Sequence, residues 1–153
     1  MRFIPAAVLA IASLTPLAAM ADEDPKELAI EARQGYFVML GANMGQLAGM
    51  AKGDIAYDEA AAATAGANIE ALSKYTVGMH FMPGTAKGEM DDTDAKPEIW
   101  TDMAGFSAKF ADFQNAAAGA SEAVKGGQGN VGPVVQKLGG TCKACHDSFR
   151  AAE

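Results

Sequence analysis

Apolar residues recur along this chain at spacings of three and four, and period-two alternation is nearly absent. That is the pattern of amphipathic helices rather than strands. Four segments carry it. From about Pro25 to Lys52 the stripe is Ile30, Phe37, Leu40, Met44 and Leu47, with Asp24 suited to an N-cap and Pro25 to the first helical position. From about Asp58 to Phe81 it is Ala62, Ala65, Ile69, Leu72, Thr76 and Met79. The third segment, about Pro97 to Lys125, is the most regular: Ile99, Met103, Phe106, Phe110, Phe113, Ala117, Ala120 and Val124, stopped by Gly126-Gly127-Gln128-Gly129-Asn130. The fourth, about Val131 to Ala152, places Val131, Val135, Leu138, Cys142, Cys145 and Phe149 on one face. Pro133 fits only its first turn, and Gly139-Gly140 weakens its middle by roughly 1 kcal/mol per glycine relative to alanine. Four such helices predict an all-α four-helix bundle. Two connections are short; the third, about Met82 to Lys96, is long enough to expect a functional or loosely ordered loop.

The N-terminus reads differently. Met1-Arg2 gives a positive start, Phe3 to Leu17 is almost wholly apolar, and Ala19-Met20-Ala21 fits a small-x-small cleavage site. Residues 1–21 are therefore expected to be a cleaved signal peptide, with residues 22–153 forming one domain in a periplasm. Nothing after Asp22 is apolar for long enough to span a bilayer. The whole chain carries a net charge of −7, and losing Arg2 makes it more negative still. A nucleic-acid partner would need a basic surface, so that class is excluded.

The chain has two cysteines and two histidines. Cys142, Cys145 and His146 stand together as Cys-Lys-Ala-Cys-His, the spacing of a c-type haem attachment site. Both thiols continue the inward stripe of the fourth segment, so a covalent haem c would lie inside the bundle. A disulfide across three residues would close too small a loop to add much stability. A dithiol redox site usually follows a strand, and zinc would need four ligands where His80 is the only other histidine. His146, bordering the same face, is the candidate iron ligand.

Arg33 interrupts the otherwise apolar seam of the first segment. A buried guanidinium needs a partner, and haem propionates would serve; reaching to the rim or pairing with an acid are the alternatives. Phe37 lies one turn on, which would set it over the porphyrin on the face away from His146. Phenylalanine cannot ligate iron. Met39 is rotated about 200° from it, and Met44 lies about 10 Å along the axis. His80, at the end of the second segment, fits a helix C-terminus for dipole reasons alone, and Trp100 suggests packing. Gly41, Gly45 and Gly49 recur every four residues and would let another backbone approach, either within the monomer or in a homodimer.

These features resemble the cytochrome c′ family, the class II c-type cytochromes, over the whole mature chain. The marks are Cys142-Lys143-Ala144-Cys145-His146-Asp147-Ser148-Phe149-Arg150, Arg33-Gln34, Phe81-Met82-Pro83-Gly84-Thr85 and Lys96-Pro97-Glu98-Ile99-Trp100. The resemblance implies a left-handed antiparallel bundle, one covalent haem with a histidine fifth ligand, high-spin iron, binding of nitric oxide and carbon monoxide, and dimers in many members. It implies that Arg33, Gln34 and Glu98 contact the haem edge and that Arg150 lies on the proximal side. Low-spin relatives carry methionine where this chain has Phe37. The expected function is a five-coordinate haem protein that binds nitric oxide or carbon monoxide and can transfer one electron, with nitric oxide detoxification as one use. A plain six-coordinate electron carrier is the alternative. An enzyme such as a peroxidase is not expected, because a distal acid–base group is missing around Phe37.

Overall fold

The computed structural model describes residues 24–152, so the expected signal peptide lies outside the described residues. Six helices follow one another: α1 Pro25–Lys52, α2 Glu59–Ser73, α3 Glu98–Thr101, α4 Met103–Ala117, α5 Ala120–Ala123 and α6 Val131–Phe149. Among the described residues there are only isolated β-bridges and no strands. The four long helices form a bundle in which α1 packs on α2 and α6, and α4 packs on α6 and α2.

α1 starts and stops as its sequence requires. The Asp24 carboxylate accepts from the Lys26 N–H at 2.9 Å, Pro25 follows, and Gly53 ends the helix at φ 83°. The left-handed conformation there suits glycine. The helical pattern expected to continue to Phe81 instead ends at Ser73, with a short 3-10 turn at Val77–His80. Tyr75, Thr76, Val77 and Gly78 are weak helix formers. The terminal carbonyls also have better partners: the Tyr36 hydroxyl donates to the Leu72 carbonyl at 3.0 Å, and the Gln114 amide to that of Ser73 at 2.8 Å.

The long third helix is three helices. Asp102 breaks it, with φ −130° and ψ 58°, and its carboxylate accepts from the Gly105 N–H at 2.9 Å to cap α4. Gly119, at φ 77°, breaks it again before α5. α6 ends at Phe149 rather than Ala152 because the chain there joins the long loop. The Lys96 N–H donates to the Phe149 carbonyl at 3.0 Å and the Ala151 N–H to that of Asp94 at 2.8 Å.

Two apolar clusters fill the bundle. The first includes Leu47, Met50, Ile69, Val124, Val131 and Leu138. The second holds Tyr36, Val77, Phe81, Ile99, Phe106 and Phe149, with Cys145 packed against it. It forms one wall of the site.

Candidate functional site

A cavity of about 500 Å³ opens beside the second cluster. α1 supplies Arg33, Gln34 and Phe37, α4 supplies Phe106, Lys109, Phe110 and Phe113, and α6 supplies Cys142, Cys145 and His146. Arg150 lines it just after α6. Of the residues expected to bind the haem, Glu98 alone stands apart: it is exposed on α3 and outside the cavity lining. His80 and Trp100 do not line it either; the Trp100 indole donates to the Phe81 carbonyl at 3.0 Å, the packing role its sequence suggested.

Arg33 is 3% exposed, and its charge is held without a carboxylate among its bonds. One terminal nitrogen donates to the Thr85 hydroxyl at 2.8 Å and the His80 carbonyl at 3.2 Å. The other donates to the Thr85 carbonyl at 2.7 Å and the Thr93 hydroxyl at 2.6 Å. The guanidinium also lies 4.8 Å from the Phe81 ring centre. Neither rim-reaching nor an acid partner is what holds it; the long loop wraps it in neutral oxygens. Burial lowers its pKa from the usual arginine value. A cation satisfied in hydrogen bonds but not in charge suits an anionic group in the adjoining cavity. Gln34 donates to the Asp92 carbonyl at 2.6 Å from the same edge.

Cys142 and Cys145 are free, half-buried thiols, and burial pushes both above the ordinary thiol range. His146 is driven the other way, chiefly by burial and then by the charge of Arg150. A neutral imidazole is the form that ligates a metal. Arg150 in turn reaches Asp94 at 3.8 Å, whose other oxygen accepts from Lys87 at 2.9 Å. These charges hold the Asp94 carboxyl below its usual range, with the Lys87 hydrogen bond first.

Several lining and supporting residues have no local signal. Lys109 lines the cavity from α4 but reads in sequence as an ordinary solvated lysine. Thr85 and Thr93 become ligands of Arg33 only when the loop closes. Tyr36 is 2% exposed behind Phe37, which is itself 41% exposed; the stripe had put Phe37 on the inward face and passed over Tyr36.

Two thiols one turn apart, an imidazole beside them, apolar walls and a buried cation together fit a covalently held, anionic, planar cofactor. Comparison with known proteins agrees. The family model described as Cytochrome C′ matches residues 28–150. A cytochrome c′ of Cereibacter sphaeroides is 43% identical over 135 residues, covering 88% of this chain and 89% of that protein. A cytochrome c-554 of the same organism is 32% identical over 98% of each chain. The solved structure of a cytochrome c′ from Rhodobacter spheriodes superposes with a TM-score of 0.81 at 41% identity, covering 86% of this chain and all of that one. With the attachment motif turned into this cavity, the chain belongs to the cytochrome c′ family and carries haem c through Cys142 and Cys145.

Proposed function

We propose that this is an exported haem c protein that leaves one face of its iron open, binds nitric oxide or carbon monoxide there, and can exchange one electron. The observation that carries the reading is Phe37. Its ring lines the same cavity as His146 and offers no atom that ligates iron. The haem supplies, when bound, an iron able to take a diatomic ligand and an electron. His146 is the protein's iron ligand. Arg33 and Gln34 hold the propionate edge, Phe37 with the phenylalanines of α4 gives the open face apolar walls, and Arg150 stands on the His146 side. Export rests on the signal-like first 21 residues; among the described residues, no helix is long and apolar enough to cross a membrane.

A second copy of the chain fits against α1. Gly41 and Gly45 face open space on the side of Val38, which is 70% exposed and, with Gly41, also borders the haem cavity. Gly49 belongs to the monomer instead, because a Cβ there would sit 2.6 Å from Ile55 Cδ1.

The deciding measurement is the optical spectrum of the reduced protein with and without carbon monoxide. The open face predicts a shifted Soret band on adding the gas. An unchanged band would instead assign a six-coordinate electron carrier.

A further inference from the structure

We propose that Tyr75 and His80 form a redox-active pair that receives oxidising equivalents from the haem cavity and holds them at the protein surface. Four rings form a continuous path. Phe37 lines the cavity. Tyr36 meets it edge-on, with ring centres 5.1 Å apart. Tyr75 stacks on Tyr36 at 5.7 Å and 28°, and His80 stacks on Tyr75 at 5.7 Å and 18°. Electron transfer falls steeply with distance; Phe37, which holds no charge itself, only bridges the cavity to Tyr36, and the two tyrosines are the stepping stones.

The two tyrosines differ in what receives their proton. The Tyr36 hydroxyl, buried, donates to the Leu72 carbonyl at 3.0 Å. A backbone carbonyl is no base, and burial pushes the Tyr36 phenol well above its usual range. Loss of an electron there would leave a proton with nowhere to go. The Tyr75 hydroxyl lies 2.5 Å from His80 Nε2, which accepts when the ring carries its hydrogen on Nδ1. Tyr75 can therefore lose an electron and its proton together. Tyr36 relays, and Tyr75, 42% exposed, is where the oxidation rests and where an external reductant reaches it.

The oxidant is hydrogen peroxide entering the cavity, so this inference rests on the open iron face proposed above; with no distal acid–base group there, the reaction draws its protons from solvent and is a single slow reduction, not the turnover of a peroxidase. Reduction of one peroxide to two waters takes two electrons and two protons. The bound haem would supply one of these electrons, and Tyr75 supplies the other. The Tyr75 proton moves to His80 Nε2, and solvent supplies the two protons for water. Tyr75 is left as a neutral phenoxyl radical beside a protonated His80 imidazole.

The experiment is anaerobic addition of one equivalent of hydrogen peroxide to the reduced holoprotein, freeze-quenched for electron paramagnetic resonance, on samples first shown to bind carbon monoxide. The expected result is a tyrosyl radical that is lost in Tyr75→Phe and lost in His80→Gln, with carbon monoxide binding unchanged in both. Absence of the radical from a sample that binds carbon monoxide overturns the inference and leaves the open-face reading standing. So does the same radical in Tyr75→Phe or an undiminished one in His80→Gln. Failure to bind carbon monoxide overturns the open face and this inference with it.

Discussion

At the scale of single residues, the proposed open iron face turns on Phe37. Replacing it with methionine puts a thioether where the ring now lines the cavity. Phe37→Met is expected to give a low-spin spectrum and to weaken carbon monoxide binding by about tenfold or more, ~1.4 kcal/mol, read by titration of the reduced protein. An unchanged high-spin spectrum would show that residue 37 does not face the iron. Cys142, Cys145 and His146 were legible because three reactive groups at fixed spacing leave little else to be. Arg33 was legible as a charge in an apolar stripe. Its four oxygen partners were not, because Thr85 and Thr93 stand 52 and 60 residues away and no periodicity links them.

At the scale of elements, α2 and α5 meet more closely than any stripe suggests. A Cβ on Gly66 would lie 2.7 Å from the Ser121 Cα and 2.8 Å from its nitrogen. Gly66→Ala gains helix propensity of roughly 1 kcal/mol, but the obstacle is backbone and cannot swing aside. A net loss of about 1–3 kcal/mol is expected from the clash, seen as a lower denaturation midpoint; equal or higher stability would mean the two helices separate freely. Four residues on, the Glu70 carboxylate accepts from the Ser121 N–H at 2.7 Å and hydroxyl at 2.8 Å. These bonds, the backbone one first, lower its pKa from the ordinary 4.5. A carboxyl with a depressed folded pKa adds stability above its unfolded value and loses it as pH falls through the folded one. The melting temperature of Glu70→Gln should therefore lie below that of the native chain at neutral pH, and the gap should close in acid. A gap independent of pH would rule out the ionised bond. The helix breaks at Asp102 and Gly119 had local signals, a capping carboxylate and a glycine, that the regular phenylalanine stripe masked. The early end of α2 had a weaker one, since Tyr36 and Gln114 reach its last carbonyls only in the folded bundle.

At the scale of the whole molecule, the bundle was legible because four amphipathic stripes need one shared interior. Which surface meets a second copy was not, because Gly41, Gly45 and Gly49 look alike until Ile55 is found against the last of them. Gly45→Glu separates folding from association. The substitution raises helix propensity by roughly 1 kcal/mol yet sets a charge on the proposed pairing face. Sedimentation should show a dimer for the native chain and a monomer for the variant, which should melt no lower. A native chain that sediments as a monomer removes α1 as a pairing face.

The oxygens around Arg33 bear on how the molecule assembles. Loop length is a small obstacle, since doubling it costs only about 0.6 kcal/mol. The larger obstacle is the guanidinium itself, which gives up water as the loop closes. With half of its acceptors in place it would be dry and short of partners, a state costing about 1–3 kcal/mol for each missing bond. Partly closed arrangements of the loop are thus disfavoured. A single side chain on the first helix ties residues 80, 85 and 93 into one cluster at the end of the bundle that holds the cofactor.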